Sequence, residues 1–401
     1  MHQRPGTGNS SRLLLFSCPL YTARVAKGSP QQMNQNTIEE ILESFAIRGK
    51  VVKAEPFGSG HINDTFRITT ETASGETFRY TLQRINHAVF RQPQQVMDNI
   101  ERTLAHLNSK RDQFPDVKVL NLIHTKEGRN CIRTFAGKWW RVYDFIDDVE
   151  SYDNVRDPNV VYEAARGFAQ FQNMMADLPA PRLYETIPYF HCTPMRYATL
   201  EEAAFLDLRN RLNDVLPEME FVRNRRHLVA HLLNRYLRGQ IPERITHNDT
   251  KINNALFDPT SKKCVAVVDL DTIMPGLALY DFGDMCRTTC NTADESEPDT
   301  ESVQFDIKMF EAAVSGYLDT ARFLTQPEIQ ELAFSAWLLP FMIGIRFLTD
   351  YLQGDVYFKT HYPKQNLDRC RTQFKLVERI ETYREEMQAI VQRNAKATGH
   401  C

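Results

Sequence analysis

Cysteine is sparse and scattered in this chain of 401 residues. The eight thiols stand at 18, 131, 192, 264, 286, 290, 370 and 401, with no CxxC pair. The missing pairs argue against a zinc ribbon, and so low a fraction in so long a chain argues against a disulfide framework. Reduced, mostly buried thiols of a cytoplasmic protein are the expectation. Long apolar runs are missing too. The longest, AFSAWLLPFMIGI from Ala333 to Ile345, is shorter than the roughly 20 residues of a membrane span and stops at Arg346. No membrane partner is therefore expected. A charge excess of one sign is also absent: 48 Lys and Arg face 51 Asp and Glu, whereas a general nucleic-acid binder would carry a basic surplus. No internal repeat is visible, and nothing bears on oligomeric state, for which a monomer is the default expectation. Acids are missing before Glu39. The basic stretch 1–33 is expected to be a disordered extension, a transit peptide being the alternative its composition allows.

NTIEEILESF reads as a first helix, and from Val51 to Ile146 the pattern is strand-rich. VVKAEPF, DTFRITT and TFRYTLQRI read as three strands, and QQVMDNIERTLAHLNSK places Val96, Ile100, Leu104 and Leu107 on one helical face. GRNCIRTF and KWWRVYDFI read as two further strands. From 147 to 401 the chain is mostly helical. Asp157-Pro158 starts one helix, and Pro217 breaks a long helical stretch from Arg196 to Arg238. NALFD and CVAVVDLD form a hairpin within it. The acidic stretch Asn291 to Ser302 reads as a solvated, mobile loop. The expected fold is α+β: a small β-rich lobe at 34–146 and a larger helical lobe at 147–401.

The stretch ITHNDTKINNALFD carries the chemistry. His247, Asp249 and Asn254 follow the H-x-D-x-x-x-x-N spacing of a kinase-type catalytic loop. In such a loop the Asp accepts the proton of the acceptor hydroxyl and the Asn helps hold a metal ion. Lys251 can reach the transferring phosphate. Fifteen residues past Asn254, VAVVDLD delivers Asp269 to a strand end, where a carboxylate can hold magnesium. Asp271 points the same way if the strand continues. In FGSGHIN, residues Gly58, Ser59, Gly60 and His61 form a turn that can bring backbone N–H groups to phosphate oxygens. A kinase lobe also carries a Lys on its third strand, paired with a helix Glu. Here Gln83 and Arg84 stand near that place, Glu101 is the helix partner, and which of the two serves is left open. Tyr143 and Phe145 lie in the hinge strand that would meet adenine.

These residues resemble the aminoglycoside-phosphotransferase and choline-kinase superfamily, a branch of the protein-kinase-like two-lobed fold. The segment DLDTIMPGLALYDFGDMCR marks that branch, and Asp281 within it is expected to brace the catalytic loop. FGSGHINDTF, LQRINHAVF, ETIPYFH and GIRFLTDYLQGDVYFK make the chain most similar to N-acetylhexosamine 1-kinases. The resemblance implies transfer from ATP, with Mg²⁺, to the anomeric hydroxyl of a hexosamine such as N-acetylglucosamine or N-acetylgalactosamine. It implies Arg346 and Tyr357, with Asp350 and Arg287, as sugar-binding candidates beside Asp249. A same-fold kinase for another small alcohol and a pseudokinase that binds nucleotide without catalysis are the alternatives.

Overall fold

The computed structural model describes residues 35–58 and 62–400. The extension expected at 1–33 and the turn residues Ser59, Gly60 and His61 lie outside the described residues.

The first lobe opens with α1 (Gln35–Leu42), then β1 (Lys50–Pro56), β2 (Asp64–Glu71) and β3 (Thr77–Ile85), α2 (Pro93–Ser109), β4 (Leu122–Ile123), β5 (Ile132–Arg133) and β6 (Trp139–Asp144). All pairings are antiparallel, in the order β1-β2-β3-β6-β4, with β5 also on β6. Strand side chains alternate between faces. On one face Phe66, Ile68, Tyr80, Leu82, Trp140 and Val142 bury against Ile38, Ile41 and Leu42 of α1. The opposite face, with Thr65, Gln83, Arg141 and Tyr143, looks toward α2 and the second lobe. The expected strand GRNCIRTF shrinks to Ile132–Arg133, and Leu122–Ile123, too short to show a period, completes the edge.

The helical spacing of α2 holds. Val96, Ile100, Leu104 and Leu107 are buried, each contributing about 1.5–3 kcal/mol of apolar burial. They pack not only on the sheet but on Phe171, Met174, Leu270 and Ile273 of the second lobe. The core around α2 thus runs through the lobe boundary.

The second lobe comprises α3 (Pro158–Met175), α4 (Thr193–Leu206), α5 (Leu216–Asn224), α6 (His231–Leu237), β7 (Arg244–Thr246), β8 (Ala255–Phe257), β9 (Cys264–Val267), β10 (Met274–Gly276), α7 (Ala278–Thr289), α8 (Ile307–Thr320), α9 (Gln326–Gln330), α10 (Leu332–Gln353), α11 (Gln365–Thr382) and α12 (Arg384–Ala397). Asp157 caps α3 through the Asn159 N–H, with Pro158 in the first turn. The stretch Arg196 to Arg238 is three helices, and Pro217 opens α5 rather than breaking a longer one. By length and composition α10 could cross a membrane, but 83% of its apolar window is buried inside the lobe. It continues through Arg346 and ends at Gly354, whose φ of 99° closes the helix as a left-handed cap. Gly283 lets α7 lie against α10, because a Cβ there would collide with the Ser335 carbonyl.

The acidic loop is solvated only in part. Glu295 pairs with Arg287 and Arg369, Ser296 receives hydrogen bonds from Gln365 and Arg369, and the Thr372 hydroxyl donates to the Glu297 carbonyl. Glu295 is held by arginines of α7 and α11, while Asp294, Asp299 and Glu301 stay exposed.

Candidate active site

The catalytic-loop residues lie between β7 and β8, and two strand pairs fix the loop. β7 pairs with β10, and β8 pairs with β9. The hairpin explains the spacing of fifteen: the Val268 N–H donates to the Asn254 carbonyl at 2.9 Å, which sets Asp269 beside Asn254. Asp269 then leaves the strand with φ 62°, a left-handed conformation that Asp tolerates. The expected continuation of the strand fails here. The chain turns through Leu270–Thr272, and Asp271 faces the first lobe.

Asp281 braces the loop from α7. Its carboxylate accepts the N–H of His247 at 2.9 Å and of Asn248 at 2.7 Å, and also the side-chain amide of Gln172; its carbonyl accepts the Thr250 hydroxyl at 2.6 Å. Burial raises the Asp281 carboxyl, and these donors work against that rise. The His247 ring is fully buried, bonded to the Val268 carbonyl at 2.8 Å and to the Asp249 N–H at 3.3 Å. It holds the loop and touches no open space.

Asp249 is half-buried at the cleft. Asn254 donates to its carboxylate at 3.2 Å and to its carbonyl at 2.8 Å, and the Lys251 ammonium lies 3.1 Å from the same carboxylate. Burial pushes this carboxyl up, but Lys251 and His247, with Arg287 further off, outweigh it and hold it below its ordinary value. Asp269 behaves oppositely. Burial, with Asp271 and Asp249 nearby, pushes its carboxyl up to about 6. Three carboxylates converging on one cleft, one of them proton-hungry, are what a bound cation relieves. No cluster of three acidic, His or Cys ligands occurs among the described residues. Asn254 and Asp269 offer oxygen donors of the kind a hard divalent cation takes, and would hold such an ion there.

The cation expected on β3 is elsewhere. Arg84 points away and pairs with Asp64, its neighbour across the ladder. Glu101, 42% exposed, bonds His124 and Asn130 and meets no cleft cation. Gln83 faces inward, donates to the Thr65 hydroxyl at 3.1 Å, and accepts two N–H bonds from Arg141 at 3.0 and 2.8 Å. Arg141, opposite Gln83 on β6 and 1% exposed, pairs with Asp271 at 2.5 Å. It is the buried cation of the cleft wall. Its sequence signal is a charge between Trp140 and Val142 in an otherwise apolar strand. Tyr143 lies under it, 5.2 Å from guanidinium to ring, and is buried rather than open to a nucleotide. Phe145 stacks edge-on against Phe57, at 5.2 Å, at the mouth of the hinge. Gly58, in the turn after β1, has φ 80° with open space where a Cβ would stand.

Arg346 lies over Phe190 at 4.8 Å, Phe358 at 5.5 Å and Tyr357 at 5.6 Å, with Tyr357 Oη 3.5 Å from its Nη2. Asp350 is no partner of Arg346. It accepts the N–H groups of Val356, Tyr357 and Phe358 at 2.8, 2.8 and 3.0 Å and the Asn366 amide at 2.8 Å, so it shapes the loop that presents Tyr357 and is closed to a ligand. Arg287 is buried between Asp284 and Glu295, behind the catalytic loop. His191, from the segment ETIPYFH, donates through Nε2 to the Asn248 carbonyl at 3.0 Å and packs on Phe190 and Tyr280. Burial and the charge of Arg346 push its ring down to about 3, so it is neutral.

Residues 53–314 match the APH phosphotransferase enzyme family. The chain belongs to that family. Its fold is shared by solved phosphotransferases: an aminoglycoside phosphotransferase from Alicyclobacillus acidocaldarius (14% identity, 94% of this chain and 99% of that one, TM-score 0.56), a microcompartment-associated aminopropanol kinase (16%, 91% and 99%, 0.57), and a spectinomycin phosphotransferase in complex with ADP and spectinomycin (12%, 89% and 100%, 0.52). At these identities the likeness is one of fold. The small antiparallel sheet and larger helical lobe of this phosphotransferase are those of the protein-kinase-like class.

Proposed function

We propose that this phosphotransferase moves the terminal phosphoryl group of ATP to the anomeric hydroxyl of an N-acetylhexosamine, giving the sugar 1-phosphate. A small-molecule alcohol as acceptor is supported by the relatives, whose names include an aminopropanol kinase and a spectinomycin phosphotransferase. The observation that narrows the acceptor is Arg346. Its guanidinium already covers the aromatic faces of Phe190, Tyr357 and Phe358. An acceptor carrying its own cation, such as choline or an aminoglycoside, needs free aromatic faces or free carboxylates. Asp350, the nearest acid of this segment, is closed by four donors. A neutral, polyhydroxylated ring needs no free cation-binding face and can accept hydrogen bonds from the donors of that guanidinium. The likeness of ETIPYFH and GIRFLTDYLQGDVYFK to N-acetylhexosamine 1-kinases supports the same choice.

In this reading Asp249, held ionised by Lys251, accepts the hydroxyl proton as the oxygen attacks phosphorus. Asn254 and Asp269 would hold Mg²⁺, which would supply charge neutralisation at the nucleotide phosphates. Lys251, paired with Asp249 at 3.1 Å and under the charge of Asp269, would face the negative charge that spreads over the transferred group. The test is an acceptor panel with ATP and Mg²⁺. N-acetylhexosamines are expected to give the highest kcat/KM; a higher value for choline, an amino alcohol or an aminoglycoside rejects the reading.

A further inference from the structure

Two buried arginines from different helices reach the same short stretch of the acidic loop. Arg287 on α7 is 6% exposed and Arg369 on α11 5%. Glu295 accepts from Arg287 Nη1 at 2.9 Å through one carboxylate oxygen, and its other oxygen lies 3.9 Å from Arg369 Nε. The Ser296 hydroxyl accepts from the same Arg369 Nε at 3.2 Å and from the Gln365 amide at 3.0 Å. Arg287 has a second carboxylate, Asp284, at 2.8 Å. Among the described residues Glu295 is the one carboxylate within 4.0 Å of Arg369. A guanidinium this deeply buried needs a carboxylate, which ties the loop to both helices.

The two arginines lead to different parts of the site. α7 carries Asp281, whose carboxylate fixes the His247 and Asn248 N–H groups of the catalytic loop, and the charge of Arg287 bears on Asp249 itself. Arg369 donates to the Lys359 carbonyl at 3.0 Å and to Asn366 Oδ1 at 3.2 Å. Asn366 in turn donates to Asp350 at 2.8 Å and to Asp355 at 2.9 Å. These bonds hold the loop from Asp355 to Lys359, which sets Tyr357 and Phe358 against Arg346. We infer that Glu295 is a positioning residue for the acceptor: it ties the loop bearing Tyr357 to the helix that braces the catalytic base. The inference deepens the acceptor reading above and rests on it. An acceptor hydroxyl must meet Asp249 within hydrogen-bond reach, and a small displacement of the wall that seats it is costly.

The experiment measures KM for ATP and for the preferred acceptor in wild type, Glu295→Ala, Glu295→Gln, Tyr357→Phe and the double variant Glu295→Ala/Tyr357→Phe. Arg287 keeps Asp284 throughout, and Glu295→Gln, which retains an oxygen for Arg287, carries the test even if Glu295→Ala folds poorly. Glu295→Ala is expected to raise the acceptor KM about tenfold, the weight of one hydrogen bond to a charged group, with the KM for ATP unchanged. Glu295→Gln is expected to raise it less. In the Tyr357→Phe background the change to Ala is expected to cost less, because both act through one loop. Amide hydrogen exchange reads the link with no acceptor present. The N–H groups of Val356, Tyr357 and Phe358 are expected to exchange faster in Glu295→Ala, and those of His247 and Asn248 at the wild-type rate. An unchanged acceptor KM, or unchanged exchange at the three loop amides, overturns the inference. So does an equal rise in both KM values, which is general loosening, and so does full additivity with Tyr357→Phe. If wild type prefers an alcohol other than an N-acetylhexosamine, the sugar reading falls, and that alcohol's KM reads the role of Glu295 in its place.

Discussion

At the residue scale the site works by unequal treatment of three nearby carboxylates. Asp249 is kept ionised by Lys251 and His247, Asp269 is raised by burial and its acidic neighbours, and Asp271 is neutralised by Arg141. Asp249→Asn preserves size and most hydrogen bonds but cannot take a proton. Turnover is expected to fall about a thousandfold, within the range for loss of a general base, with an unchanged melting temperature; undiminished turnover rejects the assignment. Lys251→Met is expected to lower kcat by about tenfold or more while ATP binding changes far less, because a charge facing the transferred group acts mainly in the transition state. Steady-state kinetics in ATP separates the two.

At the element scale the catalytic loop was the most legible part. Its spacing is dictated by a hairpin, and the Asn254–Val268 backbone bond turns sequence distance into contact. The helix α2 was legible through its apolar period. Asp271 was not, because reading it required the strand to continue, and a single left-handed residue, Asp269, turns the chain instead. Arg84 and Glu101 were placed by analogy with other kinase lobes, and local partners Asp64, His124 and Asn130 claim them. Asp350 was a sugar-binding candidate through the resemblance, and its place one helical turn from Arg346 suggested an ion pair as the alternative. Its real partners are three backbone N–H groups just past the end of α10, a motif with no periodic signature. Asp350→Ala strands these donors and is expected to cost about 3 kcal/mol or more, read as a lower urea midpoint. The acceptor KM should rise with it, since Tyr357 rides on the same loop. A variant as stable as wild type would contradict this role.

At the scale of the whole molecule, two lobes meet across a cleft whose walls are held by buried polar contacts, and folding is therefore sensitive to pH. His191 has an ordinary value near 6.5 and is pushed down to about 3. Below its ordinary value the unfolded chain binds a proton that the native state refuses, so stability falls as pH falls. The loss from this group is about 2 kcal/mol between pH 7 and pH 5. Asp269 acts in the opposite sense: its raised carboxyl takes a proton sooner in the native state, adding stability as pH falls through about 6. The comparison that isolates His191 is therefore wild type against His191→Asn, in urea unfolding at both pH values. The variant is expected to lose less stability on acidification, and an identical slope would contradict a neutral, buried ring.

The phosphoryl acceptor itself is the most direct test of the account. N-acetylglucosamine and N-acetylgalactosamine are incubated with ATP, Mg²⁺ and the protein, and the product is examined by phosphorus NMR. The account predicts a phosphorus coupled to the anomeric proton, absent with Asp249→Asn; a phosphate ester at any other hydroxyl, or transfer to neither sugar, would contradict it.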